Sequence, residues 1–284
     1  MQKGISEKEI TKYRNNQTQV TTDFLAIEEP LEIKLIYGDA ENRTTKSLSV
    51  TMRTPGNDEE LAIGFLFTEG LIQHYHQIDK VAHGNRPFLG LVDENIIEVT
   101  LNPSLLLDLS KLERNFYTTS SCGVCGKSSI DAIRTVAAPE SVKSKSALIN
   151  SSFFTSLPHQ LREAQEVFDR TGGLHAAALF NTNKEIVLLR EDVGRHNALD
   201  KLIGAGMASK NVNWHEHVLL LSGRASFELI QKAAMAKIPI VCAVGAPSSL
   251  AVELAQEFSI TLIGFLKEDR FNIYTHPEII IADL

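Results

Sequence analysis

The chain has 284 residues, of which 43% are hydrophobic and 22% charged, and its formal net charge is −7. This length can bury the core of one or two domains, and the acidic balance argues against binding nucleic acid over the whole surface. The polar N-terminus lacks the apolar segment of a signal peptide, and the longest apolar runs are too short to span a bilayer. Three cysteines in this length do not make a disulfide framework, so we expect a cytoplasmic protein with reduced thiols.

The first third of the chain is typical of a small α+β domain that follows a polar tail. Residues 1–20 repeat at neither a helical nor a strand period, and we predict a mobile tail there. Three segments alternate apolar and polar residues, as half-buried strands do: 31–38, 46–54 and 95–102. Asp58 can cap a helix that ends at Gly70. The predicted boundaries of this domain are residues 21 and 115.

From residue 174 onward, strands and helices alternate. Five apolar segments are predicted as strands: 176–180, 185–190, 217–222, 238–244 and 260–266. Amphipathic helices are predicted after Gly194, at 226–237 and at 248–258. Apolar strands between such helices indicate a mostly parallel sheet covered on both faces. We therefore predict that residues 116–284 form a three-layer α/β domain.

Four loops are predicted to follow strands of this sheet, at the edge where α/β sheets bind ligands. They are residues 192–197, 222–226, 245–249 and 267–270. Three of them open helices, whose free N–H groups favour anions. Four basic side chains lie in these loops: Arg195, Arg224, Lys267 and Arg270. The alternative is that the loops hold only helix caps and turn glycines, but their combination favours a phosphorylated, nucleotide-like ligand. No Walker A or G-x-G-x-x-G motif follows a strand, which argues against phosphoanhydride hydrolysis and the common dinucleotide fold.

The stretch TTSSCGVCGKSSI contains Cys122 and Cys125 in a C-x-x-C pair. One interpretation is half of a zinc site, with His175 as a third ligand. Zinc deaminases also carry a C-x-x-C pair, but they need a glutamate two residues after the histidine, and alanine stands there in this chain. Deamination is therefore poorly supported.

Three other interpretations of the pair stay open. A thioredoxin-like disulfide exchange would suit a C-x-x-C between a strand and a helix. A persulfide carrier would need an accessible thiolate, which a helix start and the nearby Lys127 would favour. The two cysteines could also be incidental residues of a turn. Cys242 differs, because it lies within the apolar segment 238–244, where we expect a buried, inert thiol.

Several long motifs, in order along the chain, resemble those of the FdhD family of formate dehydrogenase accessory sulfurtransferases. They are RTPGNDEELAIGFLFTEGLI (53–72), SCGVCGK (121–127), GGLHAA (172–177), REDVGRHNALDKLIG (190–204), SGRASFE (222–228) and APSSLAVELA (246–255). The resemblance covers nearly the whole chain after the tail. It implies a main domain similar to the cytidine deaminase fold.

The resemblance also implies a function. Members take sulfur from a cysteine desulfurase as a persulfide and pass it to the molybdenum bis(molybdopterin guanine dinucleotide) cofactor, which formate dehydrogenase requires; tungsten can replace molybdenum in some relatives. By this resemblance, Cys122 carries the persulfide and Cys125 assists. The cofactor would be held by the stretch Phe265, Leu266, Lys267, Glu268, Asp269 and Arg270.

From the loops themselves, we add Arg195, His196 and Arg224 as candidates for the guanine-nucleotide contacts, although His196 and His175 each also suit a structural role. We expect a homodimer that binds no tightly held metal, no nucleic acid and no membrane. Two rival functions remain: a cofactor-binding chaperone without sulfur transfer, and a C-x-x-C thiol-disulfide oxidoreductase.

Overall fold

The structure is a computed structural model that describes residues 4–86, 91–103, 105, 148–209 and 212–282. The predicted domain boundary at residues 115 and 116 lies outside these ranges and stays a prediction. Within them, no helix is both long enough and apolar enough to cross a membrane.

An antiparallel hairpin opens the chain. Its strands are β1 (Ile5–Arg14) and β2 (Gln17–Ala26), joined by Asn15 and Asn16 with φ angles of 53° and 60°. Two consecutive positive φ angles are typical of a type I′ hairpin turn, and asparagine tolerates them. The prediction of a tail without regular structure is therefore wrong for residues 5–20. Most side chains of the hairpin are exposed, so its strands need no alternating apolar pattern and the sequence shows none.

A four-stranded sheet and one helix form the N-terminal unit. Its strands are β3 (Glu29–Tyr37), β4 (Thr44–Arg53), β5 (Ile78–Arg86) and β6 (Leu91–Leu101), in the order β4-β3-β6-β5. The helix α1 (Asp58–Thr68) packs its buried side chains on this sheet. The three predicted strands and the predicted helix are confirmed.

The start of α1 differs from the prediction, while its end agrees with it. Asn57, with a φ of 58°, is the N-cap, and Asp58 is the first helical residue. The Asp58 carboxylate accepts hydrogen bonds of 3.0 and 3.1 Å from the buried Arg53 guanidinium, so it is not available to cap the helix. Gly70 follows the helix with a φ of 72°, the left-handed conformation that ends helices.

The second half of the chain contains a six-stranded sheet. A short strand β7 (Ile149–Asn150) precedes β8 (His175–Phe180), β9 (Ile186–Asp192), β10 (Val218–Leu221), β11 (Ile240–Ala243), β12 (Thr261–Gly264) and β13 (Asn272–Ile273). The six-stranded order is β13-β12-β11-β10-β8-β9, and β7 pairs with β14 (Ile280–Ile281) outside it. Among the described strands of the six-stranded sheet, only β10, β11 and β12 are parallel to one another. The expectation of a mostly parallel sheet is corrected, because the β8–β9 hairpin joins β10 antiparallel.

Helices cover both faces of this sheet. The helices α2 (Ser151–Thr155), α3 (Leu157–Ala164) and α4 (Glu166–Thr171) precede β8, and α5 (Arg195–Ala208), α6 (Phe227–Met235) and α7 (Ser249–Glu257) alternate with the later strands. Alternate strand residues face two cores: Leu219 and Leu221 pack with α5, α6 and α7, while Val218 and Leu220 pack with α2 and α3. The predicted α/β class with helices on both faces is confirmed.

The two units meet where α1 crosses α5. A Cβ on Gly64 would lie 1.9 Å from the Asp200 carbonyl oxygen, and a Cβ on Gly204 would lie 1.9 Å from the Glu60 carbonyl oxygen. The two backbones therefore touch at a distance that only glycine permits. This contact positions the end of β4 beside the start of α5, which belongs to the site described next.

Candidate functional site

The loops that follow β10, β11 and β12 are joined by backbone hydrogen bonds. The Gly245 amide donates to the Gly223 carbonyl at 2.9 Å, and the Phe265 amide donates to the Gly245 carbonyl at 3.0 Å. The Ala225 amide donates to the Ala246 carbonyl at 3.2 Å. Three of the four predicted loops thus form one continuous edge, which we call the loop edge.

Asp192 brings the fourth predicted loop to the same edge. Its carboxylate is fully buried, pairs with Lys201 at 2.7 Å and accepts hydrogen bonds from the Gly194 and Thr54 amides at 2.8 and 3.1 Å. It therefore joins the end of β9 and the start of α5 to the end of β4. Sequence reasoning missed Asp192 as the residue that holds this loop in place.

His196 links α5 to α6 across the loop edge. Its Nε2 lies 2.7 Å from a Glu228 carboxylate oxygen and 3.3 Å from the Ser226 hydroxyl. Burial alone would raise the pKa of Glu228, but the hydrogen bond and charge of His196, with the charges of Lys232 and Arg195, outweigh it and lower that pKa. An ionised Glu228 accepts from the Nε2–H of His196, so this histidine is held firmly in position.

His175 lies at the same edge, although from the sequence it was predicted only as a possible zinc ligand or a structural residue. It begins β8, opposite Asp192 in the strand register, and the next amide, of Ala176, donates to the Ser222 hydroxyl at 2.8 Å. Because β8 is antiparallel to β10, its start meets the end of β10. The GGLHAA motif could have drawn attention to His175. Its position at the loop edge, however, depends on the antiparallel pairing of β8 with β10, which hydrophobic periodicity does not reveal.

The stretch 265–270 leaves β12 at the loop edge with its side chains in different environments. Phe265 has a φ of 53° and is 44% exposed, whereas the Leu266 side chain is 1% exposed and packs in the core, so it can offer a ligand only its backbone. The Lys267 amide donates to the Arg270 carbonyl at 2.8 Å and closes a turn. Four side chains of this turn are exposed: Lys267, Glu268, Asp269 and Arg270.

The two other arginines of the prediction differ in exposure. Arg224 is exposed in the loop after β10. Arg195 is half-buried at the first position of α5, and its buried Nε has no hydrogen-bond partner among the described residues. The structure thus brings Arg195, His196, Arg224 and the 265–270 stretch to one edge with His175.

The predicted catalytic pair, Cys122 and Cys125, lies outside the described residues, and so do Lys127 and the helix start expected there. Among the residues that the structure does describe, no group of three or more His, Cys, Asp or Glu side chains could hold a metal ion. The zinc, disulfide and persulfide interpretations of the pair therefore all stay predictions. Cys242 is fully buried, which raises the pKa of its thiol, and its predicted burial is confirmed.

A pocket of about 450 Å³ lies at the opposite edge of the sheet, where β10 and β11 begin. Val218, Pro239 and Ile240 form part of its wall, and none of the predicted site residues lines it. The pocket therefore contributes nothing to the loop edge.

The comparisons with known proteins agree on one family. The model of the FdhD/NarQ family matches residues 26–281. Proteins named sulfur carrier protein FdhD are similar over nearly the full length: that of Mycolicibacterium paratuberculosis is 48% identical over 96% of this chain and 97% of its own length. That of Streptomyces avermitilis is 46% identical, covering 96% and 95%. That of Sulfurisphaera tokodaii is 40% identical, covering 98% and 99%.

A solved structure shares the fold. It is a protein of Desulfotalea psychrophila assigned as a formate dehydrogenase accessory protein, with a TM-score of 0.69 over 98% of this chain and 99% of that chain, at 22% identity. At this identity the likeness speaks for the architecture alone, and the function must be argued from the closer relatives. The extent of the family match and the identity to those relatives establish that the chain belongs to the FdhD/NarQ family.

Proposed function

We propose that this chain is a cytoplasmic sulfurtransferase that activates formate dehydrogenase. It accepts sulfur from a cysteine desulfurase as a persulfide on Cys122 and passes that sulfur to the molybdenum bis(molybdopterin guanine dinucleotide) cofactor. The observation that carries the proposal is the 40–48% identity, over nearly the full length, to relatives named sulfur carrier proteins. The C-x-x-C pair supplies the nucleophile that such a carrier needs.

The sulfur transfer proceeds in two steps, the loading of Cys122 with sulfur and the release of that sulfur to the cofactor. The Cys122 thiolate attacks the outer sulfur of the desulfurase persulfide, so a new S–S bond forms on Cys122 and the desulfurase cysteine leaves as a thiolate. The Cys125 thiolate then attacks the inner sulfur of Cys122, which closes a Cys122–Cys125 disulfide and releases the outer sulfur as sulfide to the cofactor. A thiol reductant of the thioredoxin class supplies two electrons and two protons to restore both thiols.

The loop edge supports the binding of the cofactor, which is the substrate in this scheme. Its phosphates are anionic, and four basic side chains lie on this edge: Arg195, Arg224, Lys267 and Arg270. Arginine suits phosphate because its fork of N–H donors matches two oxygens at once. The exposed Phe265 ring offers a surface on which a purine base can stack. In this proposal the protein works as a homodimer.

The first test is intact-protein mass spectrometry after incubation with a cysteine desulfurase and cysteine. We expect the chain to gain the mass of about one sulfur atom, because a thiolate nucleophile retains a single sulfane sulfur. Cyanide should strip the added sulfur. Cys122→Ala should abolish the gain, and Cys242→Ala is the matched control that should keep it, because that thiol is buried.

The same Cys122→Ala protein separates the rivals. A chaperone that only carries the cofactor would still activate formate dehydrogenase, and a disulfide oxidoreductase would fail in a way that an added reductant or oxidant bypasses. The sulfurtransferase fails in a way that neither reagent cures. A wild-type chain that gains no sulfur and contains zinc by elemental analysis would overturn the sulfur-transfer proposal.

A further inference from the structure

The pocket at the edge of the sheet opposite to the loop edge has the size of a small-molecule site. Its volume is about 450 Å³, and pockets for small organic ligands have roughly 300–1,000 Å³. Five separate parts of the chain line it: the beginnings of β10 and β11, the turn between β8 and β9, the segment from β7 to α2, and the 3₁₀ turn Trp214–Glu216. We call this cavity the opposite pocket. Its shape is a product of the fold, because these parts are distant in sequence.

Much of the lining of the opposite pocket is apolar. Phe153, Val218, Pro239 and Ile240 all contribute to it, and all four side chains are otherwise buried. Apolar surface of this kind favours a ligand with a hydrocarbon or aromatic body, whose affinity rises by up to about fourfold for each CH₂ group removed from water. A strongly hydrated ligand such as a free phosphate gains nothing from these walls.

Lys184, which also lines the opposite pocket, occupies a position where the backbone favours glycine. It has a φ of 66° in the turn between β8 and β9. The Lys184 amide donates to the Asn181 carbonyl at 3.1 Å, and the Asn181 amide donates to the Glu185 carbonyl at 3.0 Å. In a three-residue hairpin loop closed in this way, the residue with positive φ is usually glycine. The chain therefore accepts a less favourable backbone here and gains a lysine side chain at the pocket.

The ammonium of Lys184 has donors to spare. Its Nζ donates to the Ser152 carbonyl, which belongs to another part of the pocket lining, at the long distance of 3.4 Å. An ammonium has three N–H donors, and within the described part of the chain Lys184 forms no ion pair. The turn thus holds a positive charge at the pocket that an anionic ligand can engage.

The other polar side chains of the lining do not neutralise this lysine. Glu216 is the one carboxylate among the described lining residues, and its side chain is exposed to solvent. His215 is exposed as well, and the Nδ1 of His217 donates to the Asn213 carbonyl at 2.5 Å. The cation of Lys184 beside an apolar wall therefore sets the chemistry that the pocket can recognise.

We propose that the opposite pocket binds a small organic carboxylate with an apolar body. The carboxylate pairs with the Lys184 ammonium, and the hydrocarbon lies against the apolar walls. This site is distinct from the loop edge, because it lies where β10 and β11 begin and the loop edge lies where they end. The function proposed above neither requires this site nor excludes it, so the two proposals can fail separately.

The first test uses octanoate as the probe and compares it with octanamide, which has the same chain and no charge. Calorimetric titration at pH 7 should show that wild type binds octanoate at least about tenfold more tightly than octanamide, because a hydrogen bond to a charged group is worth more than a neutral one. Butanoate should bind at least about tenfold more weakly than octanoate, since it buries fewer CH₂ groups. Saturating octanoate should also raise the melting temperature.

Lys184→Gly removes the ammonium without straining the turn, because glycine accepts a φ of 66°. We expect its melting temperature to be unchanged or higher, its affinity for octanoate to fall about tenfold or more, and its affinity for octanamide to stay as in wild type. Lys237→Gly is the matched control. Lys237 is exposed, has a φ of 58° and does not line the pocket, so this variant should bind octanoate as wild type does.

Three results would overturn the inference. They are the absence of octanoate binding to wild type at millimolar concentration, equal affinities of wild type for octanoate and octanamide, and full octanoate binding by Lys184→Gly. A fourth measurement checks the charge of the ligand: Glu216→Gln should bind octanoate at least as tightly as wild type, and a weaker affinity would contradict the assignment of an anion. None of these outcomes bears on the loading of Cys122 with sulfur, which the mass measurement decides.

Discussion

Arg53 is 1% exposed, yet its guanidinium brings a full charge into the junction between β4 and α1. Asp58 balances that charge with a bidentate hydrogen bond from Nε and Nη2 of Arg53. Nη2 also donates to the Glu94 carbonyl at 3.0 Å and to the Asn95 side chain at 3.2 Å. A buried charge is tolerated only when it is paired and its donors are satisfied. The beginning of α1 is therefore determined by the need to neutralise an arginine, while Asn57 serves as its cap without a side-chain hydrogen bond.

Asp58→Ala should lower the free energy of unfolding by about 3–5 kcal/mol, because it removes the buried counter-charge of Arg53 and leaves only the more exposed Glu29 carboxylate, 3.3 Å from Nη1. Urea denaturation measures this loss. Glu163→Ala is the control, since it removes an exposed pair with His159 on α3 and should cost well under about 1 kcal/mol. Equal effects of the two substitutions would contradict this role of Asp58.

At the scale of single residues, the sequence predicts exposed and loop positions better than buried partners. Arg195, Arg224 and Arg270 were placed on one edge because strand ends define loops, and the structure brings them there. The buried role of Asp192 and the position of His175 could not be derived in this way. Their roles depend on a buried lysine from α5 and on the antiparallel pairing of β8, and neither leaves a periodic signal.

At the scale of elements, predictability follows burial. The strands β10, β11 and β12 are buried along their whole length, so their apolar runs were visible and were confirmed. The hairpin of β1 and β2 was missed because both of its faces are largely exposed and its side chains can be polar throughout. The crossing of α1 and α5 could not be predicted either, because a glycine that permits close helix packing looks the same in a sequence as any other glycine.

Gly204→Ala tests that crossing. Alanine in place of glycine usually stabilises a helix by about 0.5–1 kcal/mol, but here the new Cβ would collide with the Glu60 carbonyl. We expect a net loss of at least about 1–3 kcal/mol and a lower melting temperature, as overpacking produces. Gly64→Ala should act likewise. The double variant should lose less than the sum of the two, because separating the helices once relieves both collisions. An unchanged or raised melting temperature in both single variants would contradict the close contact.

At the scale of the whole molecule, buried polar groups join the N-terminal unit to the six-stranded sheet. The Lys201 ammonium donates to the Thr54 carbonyl at 2.8 Å while pairing with Asp192, so β4 and the loop edge are held together. A second connection runs through the Lys232 ammonium, which lies 2.9 Å from the Asp200 carboxylate and 2.9 Å from the Thr68 hydroxyl. Three helices, α1, α5 and α6, meet at this ammonium, so movement of the N-terminal unit would disturb α6, whose first turn carries Glu228 at the site.

Substitutions of Lys232 and Asp200 can separate two free energies: the cost of leaving one buried charge unpaired, and the net contribution of the ion pair to stability. Burial alone would lower the pKa of Lys232, but the Asp200 carboxylate, together with the charges of Glu69 and Glu228, outweighs it and raises that pKa, so the lysine is charged at neutral pH. Lys232→Met should therefore cost about 3–5 kcal/mol in the free energy of unfolding, because it leaves the buried Asp200 carboxylate without its counter-charge. Adding Asp200→Leu should recover much of that loss, since apolar side chains of similar volume can replace a buried ion pair. Urea denaturation of the two single variants and the double variant gives the coupling energy. Additive losses would show that the two charges act independently.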